Sequence, residues 1–193
     1  IKCAKLALDL APAEHTYLQG LTYFSLGTTY NYAGQIVLAM EAYQQAILLC
    51  QASNNRVDTV LCSINLTILA YTRGQLHLAA DVCQKVLDTM GQERSPALGA
   101  VYSSLGIIHY EWNQLDAAYD YLQQGLTWGR LVGHPAALSF CLVNLSRVLQ
   151  AQGKINEAAE TLQEAVWELL AQAYEALAQA RMTMGREHVE WAA

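Results

Sequence analysis

The first candidates for catalysis or ligand binding in this chain are its histidines, serines and aspartates and the Gly153–Lys154 pair. A zinc hydrolase of the HExxH type needs two histidines one helical turn apart, and many serine hydrolases frame the nucleophile with glycines. Neither arrangement occurs, and the five histidines fall at unrelated positions: His15, His77, His109, His134 and His188. Gly153–Lys154 is followed by Ile155 and lacks the upstream glycine of a phosphate-binding loop. The sequence therefore predicts no catalytic residue, no metal site and no cofactor, and we expect a protein that is not an enzyme.

Cysteine is the other residue type that could react or bind a metal. The chain has five cysteines, an odd number, and no CxxC pair. Each lies in an apolar stretch with helical spacing; they are Cys3, Cys50, Cys62, Cys83 and Cys141. Unpaired cysteines in core positions are typical of proteins from reducing compartments. We therefore predict reduced core cysteines in a cytoplasmic protein.

Charge and hydropathy exclude two classes of partner. The formal net charge is −6, and the eleven basic residues are scattered along the chain. Because nucleic-acid binders cluster lysine and arginine to displace counterions from phosphates, we expect no direct contact with nucleic acid. Gln, Asn, Thr or charged residues interrupt every apolar run well before the roughly 20 residues that a membrane span needs. We therefore expect no membrane segment.

A repeat organises the helices on which any binding residue must lie. The turn residues Gly34, Gly74, Asn113 and Gly153 are separated by 40, 39 and 40 residues. Four further columns keep the same register: Leu26, Leu66, Leu105 and Leu145; Ile36, Leu76, Leu115 and Ile155; Ala39, Ala79, Ala118 and Ala158; Tyr43, Cys83, Leu122 and Leu162. A fixed period of this size is typical of stacked helical hairpins.

Each column has a physical role in a hairpin. Glycine or asparagine at the turn can adopt the left-handed backbone that ends a helix. The alanine column allows the two helices of a hairpin to approach closely. The leucine and isoleucine columns fill the seam between hairpins. The expected fold is therefore all-α, a right-handed superhelix of antiparallel helical hairpins.

These residues resemble the tetratricopeptide repeat (TPR), whose motif orders a large residue, Leu-Gly, Tyr, Gly, Ala, an aromatic residue and Ala. The first copy supplies Tyr23, Leu26, Gly27, Tyr30, Gly34, Ala39, Tyr43 and Ala46. The third copy supplies Tyr102, Leu105, Gly106, Asn113, Ala118, Leu122 and Gly125. The period exceeds the usual 34 residues. Long repeats and the Gly74–Gln75–Leu76 turn with Ala79 are similar to the sensor arrays of MalT-like, LuxR-type ATP-dependent transcription activators. Kinesin light chains and other scaffolds also use long repeats.

The expected organisation is one TPR array. Residues 1–12 are predicted to end a truncated repeat that closes at Pro12, so we expect the natural N-terminus to lie upstream. Repeats 1 to 4 are predicted at 14–52, 54–91, 95–131 and 134–168, followed by a partial repeat 5 at 169–193. This last segment is out of phase, because Tyr174, Leu177 and Gly185 place a turn only 32 residues after Gly153. A loop that is shortened or missing near Trp167–Gln172 would explain the shift.

By resemblance to TPR proteins, the first helices line the concave face, and this face is the expected binding surface. Its predicted residues are Phe24, Thr28, Asn31 and Tyr32 in repeat 1; Ile64, Asn65, Ile68 and Tyr71 in repeat 2; Ser103, Ser104, Ile107 and Tyr110 in repeat 3; and Val143, Asn144, Arg147 and Gln150 in repeat 4. This lining is aromatic, aliphatic and amide-bearing. Packing between helices is the alternative role for half of its tyrosines.

The resemblance implies a non-enzymatic sensor or protein-interaction domain of a larger bacterial regulator. Its partner would be a protein, a peptide or a small-molecule effector in the concave groove, and binding would bias a two-state assembly. A TPR scaffold outside transcription is the alternative. Self-association through the terminal hairpins is a further alternative, because the array has no evident polar capping helix.

Overall fold

The fold consists of helices joined by short turns. A computed structural model describes Leu6 and residues 15–91, 97–132 and 135–190, with the side chains of 15–91, 98–131 and 138–177. This part contains eight α-helices and no strand: α1 Thr16–Tyr32, α2 Ile36–Ala52, α3 Arg56–Thr72, α4 Leu76–Met90, α5 Ala97–Glu111, α6 Leu115–Val132, α7 Pro135–Ala151 and α8 Ile155–Glu190. Each of the ranges predicted for repeats 1 to 4 contains the start of two of these helices. The truncated repeat predicted at 1–12 lies outside the described residues except for Leu6.

The four hairpin turns have the same backbone geometry. The turn residues have positive φ angles, 71° at Gly34 and Gly74, 57° at Asn113 and 80° at Gly153. At the first turn, the Gly34 N–H donates to the Asn31 carbonyl at 3.0 Å and the next N–H donates to the Tyr30 carbonyl at 2.9 Å. The same two hydrogen bonds recur at the other three turns. This Schellman geometry satisfies the last carbonyls of the first helix and turns the chain back.

Small residues allow the two helices of each hairpin to pack closely. The alanine column is buried, with Ala39, Ala79 and Ala118 at 0% exposure. On the facing helix, a Cβ atom added at Gly106 would lie 2.5 Å from Leu122 Cγ, and one added at Gly27 would lie 2.8 Å from the Tyr43 ring. These distances are too short for two carbon atoms, so glycine is required where the opposite side chain is large.

Buried side chains form a layer inside and between the hairpins. The leucine column is 2–3% exposed at Leu26, Leu66, Leu105 and Leu145. One cluster joins the first two hairpins, a second joins repeats 2 and 3, and a third joins the last two hairpins. The first helices α3, α5 and α7 also pack against one another in order. The superhelical architecture predicted from the period is confirmed.

The last helix differs from the prediction. Helix α8 runs unbroken from Ile155 to Glu190, and the Leu169–Leu170 peptide bond lies inside it. The predicted loop near Trp167–Gln172 is therefore wrong. The physical reason is that no glycine, asparagine or proline occurs between Glu157 and Met184, so no residue there favours a left-handed turn. Among the described helices, none combines enough length and apolarity to cross a membrane.

The outer side of α8 exposes apolar side chains. Leu162 is 46% exposed, whereas its column partners Tyr43, Cys83 and Leu122 are buried. Ile155 and Trp167 are 59% and 64% exposed. In repeats 1 to 3 the following hairpin covers this column, and no described element packs against that side of α8.

The predicted core position is confirmed for the four cysteines that the structure describes. Cys50, Cys62, Cys83 and Cys141 are free and buried, while Cys3 lies outside the described residues. Burial raises the pKa of the Cys62 thiol to about 12 and that of the Cys83 thiol to about 11, from an ordinary value of 9.0. These residues are packing groups that stay protonated at neutral pH.

Two glycines of α5 provide a matched test of helix packing. We expect Gly106→Ala to lower the free energy of unfolding by about 1–3 kcal/mol, because the added methyl group overpacks against Leu122. A Cβ atom at Gly99 has no neighbour closer than 3.6 Å, so Gly99→Ala should stabilise the helix by up to ~1 kcal/mol. Thermal unfolding followed by circular dichroism compares the two variants. Equal destabilisation by both would contradict the proposed close contact.

The buried thiols predict a loss of stability in alkali. In the folded chain the Cys62 and Cys83 pKa values lie above 9.0, so only the unfolded chain ionises these thiols as the pH rises from 9 to about 11. Stability is therefore complete below pH 9 and decreases through this interval. Urea midpoints measured from pH 8 to 11 should fall less steeply for Cys62→Ala than for the parent chain. Identical slopes would show that thiol ionisation is not linked to unfolding.

Candidate functional site

The first helices of repeats 2, 3 and 4 form a small apolar pocket. It has a volume of about 130 Å³ and is lined by Thr67, Ile68 and Tyr71 from α3, Ser104, Ile107 and Ile108 from α5, and Phe140 from α7. Its solvent-facing rim includes Ile68 and Phe140, which are 51% and 52% exposed. We call this the concave pocket, because first helices line the inner surface of a TPR superhelix. It brings together four of the predicted binding residues, Ile68, Tyr71, Ser104 and Ile107.

A polar network borders the concave pocket and connects the same three helices. The Tyr71 hydroxyl donates to Glu111 Oε1 at 3.1 Å. The Arg147 guanidinium lies 4.6 Å from the centroid of the Tyr110 ring and donates to Asn144 Oδ1 at 3.1 Å. Its Nη2 atom is 4.0 Å from Glu111 Oε1. We call these five residues the concave network; Glu111 and Arg147 present two opposite charges beside the pocket, whereas the Asn144 amide is 7% exposed and also donates to the Phe140 carbonyl at 2.8 Å.

The charges of the concave network balance. Glu111 and Arg147 are 38% and 45% exposed, so their ion pair contributes at most about 1 kcal/mol. Burial raises the pKa of Tyr71, and the hydrogen bond and negative charge of Glu111 raise it further, whereas Arg147 lowers it. Tyr71 is therefore a neutral phenol at physiological pH and serves as a hydrogen-bond donor.

Several predicted residues lie away from the concave pocket. Ser103 is 2% exposed, and its hydroxyl donates to the Gly99 carbonyl and contacts Cys141 Sγ in the core. Ile64 packs against the core cluster between repeats 2 and 3. The Asn65 side chain donates to the Leu61 carbonyl of its own helix at 2.8 Å. Val143 and Gln150 are exposed on α7 outside the pocket lining.

The predicted residues of repeat 1 form a separate group. The Phe24 ring lies 5.9 Å from the Tyr43 ring, and the Thr28 hydroxyl is 3.2 Å from the Tyr43 hydroxyl. Both side chains therefore face the second helix of their own hairpin. Asn31 is half-buried and Tyr32 is 88% exposed, and neither reaches the pocket lining.

The sequence prediction missed Phe140 and Glu111. Phe140 lies one helical turn before Val143, so the inner surface extends further toward the start of α7 than predicted. Glu111 has the same repeat position as Tyr32, two residues before the turn, and that position was included only in repeat 1. Applying one set of repeat positions to all four copies would have found Glu111.

His77 and His109 belong to packing contacts rather than to a reactive group. The His77 ring lies 5.0 Å from the Trp112 ring, and the His109 ring lies 4.9 Å from the Tyr121 ring. Nδ1 of His109 is also hydrogen-bonded to Gln114. Within the described ranges, no group of three or more His, Cys, Asp or Glu side chains could hold a metal ion.

Comparisons with known proteins agree with this architecture. The model of the MalT-like TPR region family matches residues 1–190. The crystal structure of BtubC from P. vanneervenii superposes with a TM-score of 0.76 at 20% identity, over 89% of this chain and 71% of BtubC. The apo form of RapI gives a TM-score of 0.80 at 17% identity, over 92% of this chain.

A third solved structure contains a peptide. The Rap conjugation gene regulator of plasmid pLS20, in complex with the Phr* peptide, superposes with a TM-score of 0.71 at 19% identity over 90% of this chain. This chain spans 64% of RapI and 47% of the pLS20 regulator. No curated protein sequence matches the chain. The comparisons confirm the predicted TPR fold and the resemblance to MalT-like repeats.

The concave network predicts opposite pKa changes for Tyr71. Glu111→Gln should lower the Tyr71 pKa, because it removes a negative charge that disfavours the phenolate. Arg147→Met should raise it, because a nearby positive charge is lost. An NMR titration with ¹³C-labelled tyrosine would measure both changes, and Tyr119 on α6 provides an internal control. A shift of the same sign in both variants would contradict the described network.

Proposed function

Because the chain belongs to the family of MalT-like TPR regions, we propose that it is a non-enzymatic sensor array that binds a peptide on its concave face. The observation that carries this proposal is the juxtaposition of the concave pocket and the concave network across α3, α5 and α7. The pocket would accept one apolar side chain, and the adjacent polar groups would bind the peptide backbone.

The chemistry of the network suits a peptide backbone. The half-exposed Glu111 carboxylate supplies an acceptor for the N–H groups of a ligand, and the half-exposed Arg147 guanidinium supplies donors for its C=O groups, so both find partners. The network has no net charge, which favours a neutral peptide over an acidic tail. The complex of the pLS20 regulator with its Phr* peptide supports a peptide rather than a sugar as the ligand class.

We place this array in a LuxR-type transcription regulator. Since three first helices contact in sequence and share one binding surface, a peptide that bridges them would favour one superhelical curvature over another. That difference in curvature would be the signal passed to ATPase and DNA-binding parts. A cytoplasmic location belongs to the proposal, and the free buried thiols are consistent with it.

Two observations would separate this role from a scaffold outside transcription. In a regulator, the flanking sequence should encode a phosphate loop upstream and a helix-turn-helix downstream. A scaffold would lack both parts. In the assembled regulator, the bound peptide should also change ATP hydrolysis or DNA affinity, which a scaffold would not do.

Substitutions in the concave network test the binding surface. Peptides selected from a random heptapeptide display library on the immobilised chain provide the probe. We expect Tyr71→Ala and Tyr110→Ala each to weaken binding of a selected peptide at least about tenfold, because each removes a contact from the network. Isothermal titration calorimetry measures the affinities, and Tyr119→Ala on α6 is the matched control. Unchanged affinity in both concave variants would exclude this surface.

A further inference from the structure

A second, larger cleft lies on the face that the second helices form. It is bounded by α2, α3 and α4, and its volume is about 310 Å³. Its floor is apolar and includes Ile47, Val60, Leu66 and Val82. We call it the convex groove, because second helices line the outer surface of the superhelix. Its volume falls within the range of small-molecule sites, roughly 300–1,000 Å³.

The internal repeat explains why the convex groove exists. Three small residues of its lining, Ser63, Val82 and Thr89, correspond to Tyr102, Tyr121 and Trp128, each 39 residues later. In that next seam the Tyr102 and Tyr121 rings stack at 6.4 Å between centroids. These two rings, Trp128 and Leu87 pack against a buried cluster that contains Leu105. Leu87 and Leu105 correspond to the groove residues Ile47 and Leu66.

The same backbone register therefore holds aromatic rings in one seam and an open cleft in the other. A cavity of about 150 Å³ is large enough for benzene, so the convex groove can accept a bicyclic ring. An aromatic ligand would complete the packing that the third repeat achieves with its own side chains.

The rim of the convex groove carries one positive charge, which favours a negatively charged group on the ligand. Lys85 is the one charged side chain among the described residues that line it. Lys85 is exposed, and it forms no ion pair with any described residue. Gln44, Gln45 and Thr89 line the same groove and provide hydrogen-bonding groups. A ligand with a ring in the groove and a carboxylate at the rim would match both features.

We infer that the convex groove between α2 and α4 is a binding site for a small aromatic carboxylate of about the size of an indole acid. Ligand binding there is separate from the concave face, since the two sites share no lining residue. The site would stiffen the junction of repeats 1 and 2 by filling the space between their second helices.

Three probes test the ligand class with the full chain. Calorimetry with indole-3-acetate, indole and N-acetyltryptophanamide should rank indole-3-acetate as the tightest of the three. Lys85→Gln should weaken indole-3-acetate about two- to fivefold and leave indole unchanged, because only the acid uses the ammonium group. Preferential binding of N-acetyltryptophanamide would overturn the proposal in favour of an aromatic side chain of a protein.

A double variant that introduces the corresponding aromatic residues of the next seam tests the location of the binding site. Ser63→Tyr combined with Thr89→Trp fills the convex groove and should abolish binding of indole-3-acetate. Circular dichroism and the thermal midpoint show whether this variant keeps its fold. If it unfolds, Lys85→Gln and the NMR shifts induced in the Val82 and Val86 methyl groups decide the question. Retained affinity in a folded double variant, or no probe-induced shift at Val82 and Val86, would overturn the proposal.

Discussion

The close approach of the two helices within each hairpin is the constraint on which the rest of the structure depends. At 0% exposure, Ala39, Ala79 and Ala118 show how little room remains at the contact. Where the second helix carries a large side chain, Tyr43 or Leu122, the first helix carries glycine. Where it carries Cys83, the first helix carries Thr67, whose hydroxyl lies 3.6 Å from the sulphur. A larger side chain on the second helix is thus matched by a smaller residue on the first helix, and the spacing of the two helices is kept.

This fixed spacing gives the two faces different chemistry. On the inner face, α3, α5 and α7 lie side by side, so residues from three repeats combine into one pocket and one network. On the outer face, the space between successive second helices depends on which side chains fill it. Aromatic residues close that space at the second seam, and smaller residues leave it open at the first. The backbone repeats, and local differences in side-chain volume create cavities.

The last helix, α8, departs from the repeat pattern, and periodicity alone does not predict this departure. A turn requires a residue that tolerates positive φ, and Gly34, Gly74, Asn113 and Gly153 provide it. From Glu157 to Met184 the segment is rich in alanine, glutamate, glutamine and leucine and contains no glycine or asparagine, so α8 does not turn back where the period would require it. Local helix propensity prevails over the period there, and the exposed Leu162 follows from that extension.

The sequence by itself determined the helix pairs, their turns, the core columns and the TPR family, because each depends on short-range spacing that repeats four times. It also identified Ile68, Tyr71, Ser104 and Ile107 as neighbours on one face. Only the tertiary structure decided that Ser103 points into the core, that Glu111 and Arg147 balance each other, and that a groove opens between α2 and α4. These features depend on the rotation of each helix about its axis and on side chains from different repeats. Residue spacing along the chain specifies neither the rotation of each helix nor which side chains of different repeats meet.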